Sequence, residues 1–181
     1  EVYGVANNIS FIETDSLNPK NPYSATKAAA EHLIKSHQNT FGVPYLMVRP
    51  SNNFGPRQHQ EKFMPTILRS LQSSNKIPIY GDGNQVREWT YVKDTARAIK
   101  YILENSELNN CYNISSNVEL QNIDLVRAIC QLTSNDFQSS IKYVEDRLGH
   151  DARYSIDNSK LEKLGFEDYA QFEESLLETV K

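Results

Sequence analysis

The sequence of 181 residues predicts an α/β fold with a parallel β-sheet, for two reasons. A predicted strand, a helix and a second strand follow one another over residues 1–50, an alternation typical of parallel sheets covered by helices. The segment VPYLMVRP, residues 43–50, is apolar almost throughout and is bounded by Gly and Pro, which is the pattern of a strand buried on both faces.

The elements of the first half are predicted from capping residues and apolar spacing. Residues 1–5, EVYGV, are predicted to be the end of a strand. Asn21 is expected to cap a helix with Pro22 at its first position, where the missing N–H costs nothing, and this helix should stop before Gly42. A second helix is predicted at 63–74, where apolar residues recur at helical spacing.

The second half is predicted to contain short strands and helices in alternation. Two runs of alternating residues within 76–92 flank a Gly-Asp-Gly turn and predict a β-hairpin. Asp94 is expected to cap a helix at 95–104, and Asn122 a helix at 123–133. The remaining predicted elements are strands at 111–115 and 141–146 and short helices at 158–164 and 171–180.

Composition and charge exclude several classes of protein. The formal net charge is −4 and the Lys and Arg residues are dispersed, so no surface for nucleic acid is predicted. The longest apolar runs are only a few residues, too short to cross a membrane. Cys111 and Cys130 do not make a disulfide framework, and no Cys/His cluster has zinc spacing. We therefore expect a cytoplasmic protein without a bound metal.

The amino-terminal residue and the Gly residues suggest a missing segment. The chain begins at Glu1 rather than at Met, so we expect it to be the carboxy-terminal portion of a longer protein. None of its seven Gly residues belongs to a G-x-G-x-x-G motif, the loop that cradles the phosphates of a dinucleotide. The half of an α/β fold that carries this loop is therefore expected to precede Glu1.

The first candidate for chemistry is the pair Tyr23 and Lys27, which lie four residues apart on the predicted helix and so share one face. An ammonium near a phenol favours the phenolate, which can take a proton from a sugar or alcohol hydroxyl. About 0.6 such pairs are expected by chance in a chain of this composition. On spacing alone, an exposed Tyr beside a solvated Lys remains the alternative.

Polar residues follow the predicted strand at 43–50. Ser51, Asn52 and Asn53 would lie at the carboxyl edge of the sheet, where open α/β folds bind their ligands. Asn side chains offer donors and acceptors for sugar hydroxyls and amides. The alternative is a simple turn that leads into Gly55 and Pro56.

Six segments occur together in this chain in the order PYSATK, RPSNNFGP, EKFMP, PIYGDGNQVREWTYVKD, YNIS and DRLGHDARY. In these segments the sequence resembles the extended short-chain dehydrogenases/reductases, and among them the nucleotide-sugar 4,6-dehydratases that act on dTDP-glucose. The resemblance covers nearly all 181 residues. It implies the carboxy-terminal part of a Rossmann-like parallel sheet together with a smaller α/β substrate-binding domain.

The activity implied by this resemblance is the NAD-dependent dehydration of dTDP-glucose to its 4-keto-6-deoxy derivative, in deoxysugar (rhamnose-type) biosynthesis. Tyr23 matches the base for the sugar 4-hydroxyl, and Lys27 matches the residue that holds the nicotinamide ribose and tunes Tyr23. Glu1 matches the glutamate that removes the C5 proton. An aspartate that protonates the leaving C6 hydroxyl would precede it. Asn52 matches a substrate contact and Asn53 a cofactor contact.

The resemblance also implies a set of contacts to the nucleotide. Arg87 would pair with the diphosphate, which suits a guanidinium fork, although by itself it could be a surface residue of a hairpin. Asn122 matches a nucleotide contact in addition to its predicted cap. Leu148 stands where the family usually has Pro, within a loop that closes over the nucleotide. The other implied contacts are Lys62, Phe63, Pro78, Ile79, Tyr80, Asp146, Arg147 and His150.

The implied domains divide the chain unevenly. Residues 1–53, with 87–115, would complete the NAD-binding Rossmann domain, whereas 54–86 and 116–181 would mainly form the nucleotide-sugar-binding domain. The helix from Pro22 is expected to contribute to a homodimer interface, because its Ala residues, Leu33 and Ile34 give it a broad apolar surface. This chain alone is expected to be inactive and to hold NAD poorly.

Three alternatives to this function stay open. The nucleotide could be UDP, since thymine and uracil differ by one methyl group. The protein could be a nucleotide-sugar epimerase or decarboxylase of the same family, but an epimerase has no need of a C5 base at Glu1. A non-catalytic module that binds nucleotide sugars or senses NAD would have no need of Tyr23, Lys27 and Glu1 together.

Overall fold

The computed structural model describes residues 1–6, 9–146 and 152–181. Single helices alternate with pairs of strands over the first ten elements of the described chain. Their order is α1 (Pro22–Phe41), β1 (Leu46–Pro50), β2 (Asn52–Phe54), α2 (Phe63–Gln72), β3 (Ile77–Tyr80), β4 (Val86–Tyr91), α3 (Val92–Asn105), β5 (Asn110–Ile114), β6 (Glu119–Gln121), α4 (Asn122–Leu132), α5 (Phe137–Ser140), β7 (Ile141–Val144), α6 (Ser159–Leu164) and α7 (Phe172–Val180).

The strands form parallel pairs, which confirms the predicted α/β class. β1 pairs with β5 over its full length, from Leu46 opposite Asn110 to Pro50 opposite Ile114. β2 pairs in parallel with β4, and β4 pairs with β6 in the antiparallel direction. β3 pairs in parallel with β7. The parallel partners lie far apart in the sequence, so each pair is closed by a crossover rather than by a turn.

Two hydrophobic clusters hold these layers together. The smaller one packs α3 and α6 against β1 and β5, and its fully buried members include Ile102, Ile114 and Leu161. The larger one lies among α2, β3, β4, α4 and α7, and it includes Trp89 and Leu125. β1 packs on the smaller cluster, whereas Phe54 of β2 belongs to the larger one, so the polar residues after β1 lie between a strand of one cluster and a strand of the other.

The ends of α1 are as the sequence predicts. The Asn21 side chain accepts a hydrogen bond from the Ser24 amide at 2.9 Å, and Ser24 Oγ accepts one from the Asn21 amide, which together form a capping box. Pro22 occupies the first turn, and Gly42 closes the helix in the left-handed region with φ +69°. Only a narrow stripe of α1, which includes Ala28 and Glu31, is buried in this chain.

The predicted hairpin at 76–92 is wrong. Its two strands, β3 and β4, do not pair with each other but belong to different sheets. β4 is buried at Arg87 and at every residue from there to Tyr91, which marks it as an interior strand with neighbours on both edges. The Gly81–Gly83 segment therefore carries the chain from one sheet to the other, with both glycines at positive φ.

Other local predictions also need correction. Residues 1–6 form no strand, because their backbone bonds run to Asn18 and Arg153 instead of to a sheet. The helices predicted to follow Asp94 and Asn122 begin earlier, at Val92 and at Asn122 itself, so neither residue is an N-cap. Asp94 lies instead in the first turn of α3, buried, and accepts from Arg97 and from the amide of residue 170.

The apolar run at 43–50 forms a shorter strand than predicted, β1, and it is not buried on both faces. Met47 and Arg49 are buried, whereas Leu46 and Val48 are partly exposed. In the described ranges, no helix combines the length and apolar character needed to span a bilayer. Those same ranges contain no group of three or more His, Cys, Asp or Glu residues that could hold a metal ion.

Candidate active site

An open cleft lies at the carboxyl end of β1, beside the amino-terminal turn of the chain. Its empty volume is about 390 Å³, which includes space open to solvent. Glu1 and Asn52, both predicted to contact the sugar, line this cleft together. The structure therefore brings a carboxylate and an amide to one cleft, in the position where open α/β sheets bind ligands. The rest of the lining is Val2, Tyr3, Arg49, Pro50, Ser51, Glu88, Tyr154, Ser155 and Ile156.

Tyr23 and Lys27 lie on the exposed side of the first turns of α1. The Lys27 ammonium nitrogen is 5.5 Å from the centroid of the Tyr23 ring, so the two side chains share a face as the spacing predicts. The Tyr23 side chain is 61% exposed. Neither residue is among the described residues that line the cleft. Ser24, the next residue along the chain, is buried and engaged in the capping box.

Asn52 and Asn53 differ in what their side chains can reach. Asn52 is exposed at the cleft, so its amide can contact a ligand. Asn53 is already engaged within the chain: its Oδ1 accepts from Thr95 Oγ1 at 2.5 Å, and its Nδ2 donates to the Ser51 carbonyl at 3.2 Å. These bonds fix the amide of Asn53 between β2 and α3.

Gln85, which the sequence reasoning missed, joins three of the regions predicted to bind the nucleotide. Its buried Nε2 donates to the Tyr80 carbonyl at 3.2 Å and to Asp146 Oδ2 at 3.0 Å. The backbone carbonyl of Gln85 accepts a hydrogen bond from the Asn122 backbone amide at 3.0 Å. The end of β3, the start of α4 and the Asp146 carboxylate are thereby held at one place. In the sequence, Gln85 ends the segment Asp-Gly-Asn-Gln at 82–85, whose composition indicates a turn but not the contacts of Gln85.

Arg87 is buried on β4, where its guanidinium carbon lies 4.4 Å from the centroid of the Tyr154 ring. Its Nη1 donates to the Val86 carbonyl at 2.7 Å. Tyr154 itself lines the cleft, so Arg87 stands directly behind one of its walls. This arrangement differs from the exposed hairpin residue that was the alternative for Arg87.

Two of the remaining predicted contacts, Phe63 and Ile79, lie at the larger cluster. Phe63 packs against it and stacks on Trp89, with ring centroids 6.5 Å apart. Ile79 has its side chain buried in the same cluster, so it can meet a ligand only through its backbone. Lys62 is exposed and Pro78 is partly exposed. Arg147 and His150 lie outside the described residues.

Glu88 is a buried carboxylate that the sequence reasoning did not single out, although it lines the cleft. Its Oε1 accepts from Ser155 Oγ at 2.7 Å and from the Ile156 amide at 3.1 Å, and its Oε2 accepts from Ser115 Oγ at 2.9 Å. Burial raises the pKa of Glu88 above its usual value, while these three hydrogen bonds oppose the rise. Glu88 thus ties the segment that carries Tyr154 to β4.

A second polar cluster lies beneath Glu1. Arg49 makes a two-point ion pair with Glu31 of α1, with Nε to Oε1 at 2.9 Å and Nη2 to Oε2 at 2.5 Å. Its Nη1 also donates to the hydroxyl of Tyr3. From the sequence, Arg49 was predicted only as the end of a strand. Its partner Glu31 lies on α1, and the sequence does not show how this helix packs against the strand.

Comparisons with known proteins show which proteins this chain is similar to. A family model described as GDP-mannose 4,6 dehydratase matches residues 1–179. The low-salt glycan biosynthesis protein Agl12 of Haloferax volcanii is 44% identical over 176 residues, which are 97% of this chain and 56% of that protein. A dTDP-glucose 4,6-dehydratase of Xanthomonas campestris is 41% identical over 190 residues, 99% of this chain and 54% of that enzyme.

Solved structures are similar over the same span. DesIV, a dTDP-glucose 4,6-dehydratase from Streptomyces venezuelae with NAD and TYD bound, superposes with a TM-score of 0.96 at 36% identity, over 99% of this chain and 56% of DesIV. A UDP-N-acetylglucosamine 4-epimerase from Methanobrevibacter ruminantium superposes with a TM-score of 0.89 at 32% identity, over 99% of this chain and 58% of that enzyme. The chain thus spans about half the length of the relatives it matches.

Proposed function

Because the chain belongs to the GDP-mannose 4,6-dehydratase family of extended short-chain dehydrogenases/reductases, we propose that it is the carboxy-terminal part of an NAD-dependent dTDP-glucose 4,6-dehydratase. The observation that carries this proposal is the placement of Glu1 and Asn52 on the same cleft. A carboxylate beside a sugar-binding amide suits removal of the C5 proton, a step that an epimerase does not perform.

Three proton transfers divide the reaction among different groups. Tyr23, with the Lys27 ammonium beside its ring, takes the proton of the sugar 4-hydroxyl. Loss of a hydride from C4, for which bound NAD would be the acceptor, completes the 4-keto group. This group acidifies C5, and the Glu1 carboxylate removes the C5 proton. The C6 hydroxyl then leaves as water, for which it needs a proton from an acid. Each transfer uses a residue type suited to the proton concerned.

The donor set of α1 fits the nicotinamide ribose of NAD. The Tyr23 hydroxyl and the Lys27 ammonium are both exposed on one side of the helix, where ribose hydroxyls can accept from them. The chemistry supplied by bound NAD is removal of a hydride from the sugar and its later return. The glycine-rich phosphate loop is absent from these 181 residues, so this chain is expected to hold NAD poorly by itself.

The nucleotide is proposed to lie between the end of β3 and the start of α4. Gln85 gathers Tyr80, Asp146 and Asn122 at this place, and Arg87 supplies a buried positive charge nearby. In this arrangement residues 1–53 and 87–115 belong to the NAD side, and 54–86 and 116–181 mainly to the nucleotide-sugar side. The same enzyme would act in the cytoplasm, as a homodimer, in deoxysugar biosynthesis of the rhamnose type.

The test is product analysis of the full-length protein with NAD. We expect dTDP-glucose to give a 4-keto-6-deoxy product, detected by mass as the loss of one water and by the carbonyl signal in the carbon NMR spectrum. UDP-glucose in a parallel reaction distinguishes the nucleotide. Formation of a 4-epimer without loss of water would show that the protein is an epimerase and not a dehydratase. If neither sugar is turned over, both the dehydratase and the epimerase functions are contradicted.

A further inference from the structure

The cluster beneath the cleft joins the two catalytic segments of the proposed enzyme. Arg49, at the centre, is 7% exposed and contacts Glu31 of α1 through two hydrogen bonds at 2.9 and 2.5 Å. It also donates to the Tyr3 hydroxyl and, at 3.2 Å, to the Glu13 carbonyl. The Tyr3 hydroxyl in turn donates to Asn113 Oδ1 of β5 at 2.8 Å.

Tyr3 is the anchor of the turn that carries Glu1. The Gly4 amide donates to the Glu1 carbonyl at 3.1 Å, and the Asn18 amide donates to the Val2 carbonyl at 3.0 Å. Gly4 has φ +92°, and a Cβ there would lie 2.7 Å from the Asn18 carbonyl oxygen, so the turn packs against Asn18 too closely for any side chain at this position. The Tyr3 ring is buried and stacks on Phe11, with ring centroids 5.1 Å apart.

Glu31 is the corresponding anchor on α1. It follows Lys27 by one helical turn and is one of the few buried residues of a helix that is otherwise largely exposed. The ion pair with Arg49 therefore fixes both the rotation of α1 and its distance from β1. One guanidinium therefore binds both segments: Arg49 contacts Glu31 on the helix that bears Tyr23, and it contacts Tyr3 in the turn that bears Glu1.

Energetics indicate that the cluster serves geometry more than stability. A buried ion pair gains little over well-packed apolar side chains, because both charges must be desolvated, whereas its fixed bond directions define one arrangement. A two-point guanidinium–carboxylate pair is especially directional. Burial raises the pKa of Tyr3 to about 12, so its hydroxyl remains protonated and serves as a donor rather than as a base.

We propose that Tyr3 and Arg49, with Glu31, are positioning residues that set the place of the Glu1 carboxylate relative to Tyr23. The inference rests on the proposed dehydratase function and assigns these residues to its second step. A general base must lie within about 2.6–3.2 Å of the atom that bears the proton it removes. A displacement of about 1 Å can cost about a hundredfold in rate, so loss of the anchor should slow C5 proton removal.

The test compares Tyr3→Phe with Tyr101→Phe in the full-length protein with NAD. Tyr3→Phe removes only the hydroxyl and keeps the ring on Phe11. Tyr101→Phe removes a phenol whose hydroxyl donates to the Leu164 carbonyl at 3.2 Å, in the smaller cluster and away from the cleft, so it is the matched control for a lost hydrogen bond. The readouts are exchange of the C5 proton with solvent deuterium and the absorbance of reduced nicotinamide.

For Tyr3→Phe we expect a loss of about tenfold or more in the rate of C5 exchange, with KM nearly unchanged. Reduced nicotinamide should accumulate, because oxidation at C4 still occurs. In Tyr101→Phe, the rate of C5 exchange and the amount of reduced nicotinamide should be as in the wild type. Arg49→Lys, which keeps the charge but loses the fork that spans Glu31 and Tyr3, should act in the same direction as Tyr3→Phe.

A double-mutant cycle separates positioning from general weakening of the fold. If Tyr3 acts through Glu1, adding Tyr3→Phe to Glu1→Gln should cause no further loss of C5 exchange. Three results would overturn the inference while the dehydratase function stands. Tyr3→Phe could slow oxidation and dehydration equally, it could leave the rate of C5 exchange at the wild-type value, or its effect on C5 exchange could add fully to that of Glu1→Gln. A wild-type protein that forms no keto sugar would overturn the proposed function and, with it, this inference.

Discussion

Arg87 lies against the face of Tyr154, with its guanidinium carbon 4.4 Å from the ring centroid. The backbones of the two segments are also joined, because the Tyr154 amide donates to the Val86 carbonyl at 3.4 Å. A guanidinium held on an aromatic face has already lost much of its rotational freedom before a ligand arrives. The Arg87 guanidinium is therefore held in a defined orientation behind the cleft wall.

Arg87→Ala in the full-length protein should raise KM by about tenfold or more and change kcat little. A guanidinium facing two phosphates binds them equally in the ground state and in the transition state, so its loss removes uniform binding. A charge-assisted hydrogen bond contributes about 1.5–3 kcal/mol, which gives the size of the effect. Steady-state kinetics at several salt concentrations are the measurement, and the salt dependence of KM should weaken in the variant.

Arg127→Ala is the control for Arg87→Ala. Arg127 also lies over an aromatic ring, with its guanidinium carbon 4.9 Å from the Phe137 centroid, but it is an exposed residue of α4 outside the described cleft lining. Its KM should match the wild type. A variant of Arg87 with normal KM and a collapsed kcat would place this residue at the sugar instead of the diphosphate.

Tyr23→Phe should abolish turnover without changing the fold. The ring is largely exposed, so the substitution removes a proton acceptor and no packing volume. We expect the rate of C4 oxidation to fall by at least about a hundredfold, the low end for removal of a general base. Tyr45→Phe, just before the amino end of β1 and so at the opposite edge of the sheet, should keep wild-type activity. Near-normal turnover in Tyr23→Phe would exclude this tyrosine as the base.

Glu1→Gln should separate the two halves of the reaction. Oxidation at C4 uses Tyr23 and can still occur, while C5 proton removal loses its carboxylate. Reduced nicotinamide should therefore accumulate after mixing with dTDP-glucose, and no 4-keto-6-deoxy sugar should form. Stopped-flow absorbance and product analysis follow the two halves separately. If both proceed as in the wild type, Glu1 is not the C5 base, and the epimerase alternative gains support.

Those features of the fold that depend on neighbouring residues could be predicted from the sequence. Asn21, Pro22 and Gly42 set the ends of α1 by local chemistry, and the four-residue spacing of Tyr23 and Lys27 placed both on one face. The pairing of strands could not be predicted in the same way. The turn after β3 has the composition of a hairpin, but β3 and β4 find better-buried partners elsewhere in the chain.

The same distinction applies to the candidate site. The place of Asn52 at the cleft could be predicted because it lies two residues after a predicted strand, and strand ends are where open sheets bind ligands. Arg49, Tyr3, Glu88 and Gln85 could not, because each acquires its role from a partner far away in the sequence. A buried charge leaves no local signature until its counter-charge is located.

The exposed face of α1 should form part of a homodimer interface in the full-length protein. Leu33 is 61% exposed and Phe41 is 71% exposed, which is a large apolar surface for one helix. Ala28, expected on this surface, is instead buried within the chain, so the interface would centre on Leu33 and Ile34. Leu33→Asp should shift a dimer to monomers at micromolar concentration, measured by sedimentation velocity.

Leu103→Asp is the matched control for Leu33→Asp. Leu103 is a similarly exposed leucine, at 65%, on the surface of α3. Its replacement should leave the sedimentation coefficient unchanged. A wild-type protein that sediments as a monomer would contradict dimerisation. If only Leu103→Asp dissociates the dimer, the interface lies on α3 instead of α1.

Glu88→Gln should change how stability depends on pH. Burial raises the pKa of Glu88 in the folded protein, so the folded state binds this proton more tightly than the unfolded chain does. The contribution of Glu88 to stability is therefore fully present below the ordinary pKa of a glutamate, and it is lost as the pH rises through the raised value. Gln carries no charge and can keep an oxygen toward Ser155 and the Ile156 amide, so the variant escapes this loss.

The measurement is urea unfolding of wild type and Glu88→Gln in the full-length protein, from about pH 4 to about pH 8. The free energy of unfolding of the variant, minus that of the wild type, should increase with pH and then level off. Glu119, which faces the same Ser155 hydroxyl, has a lowered pKa because of its hydrogen bonds from Arg153, so its titration acts at lower pH and in the opposite direction. Glu107→Gln, which removes an exposed carboxyl, is the control. A difference that falls as the pH rises would show that the three hydrogen bonds to Glu88 outweigh its burial.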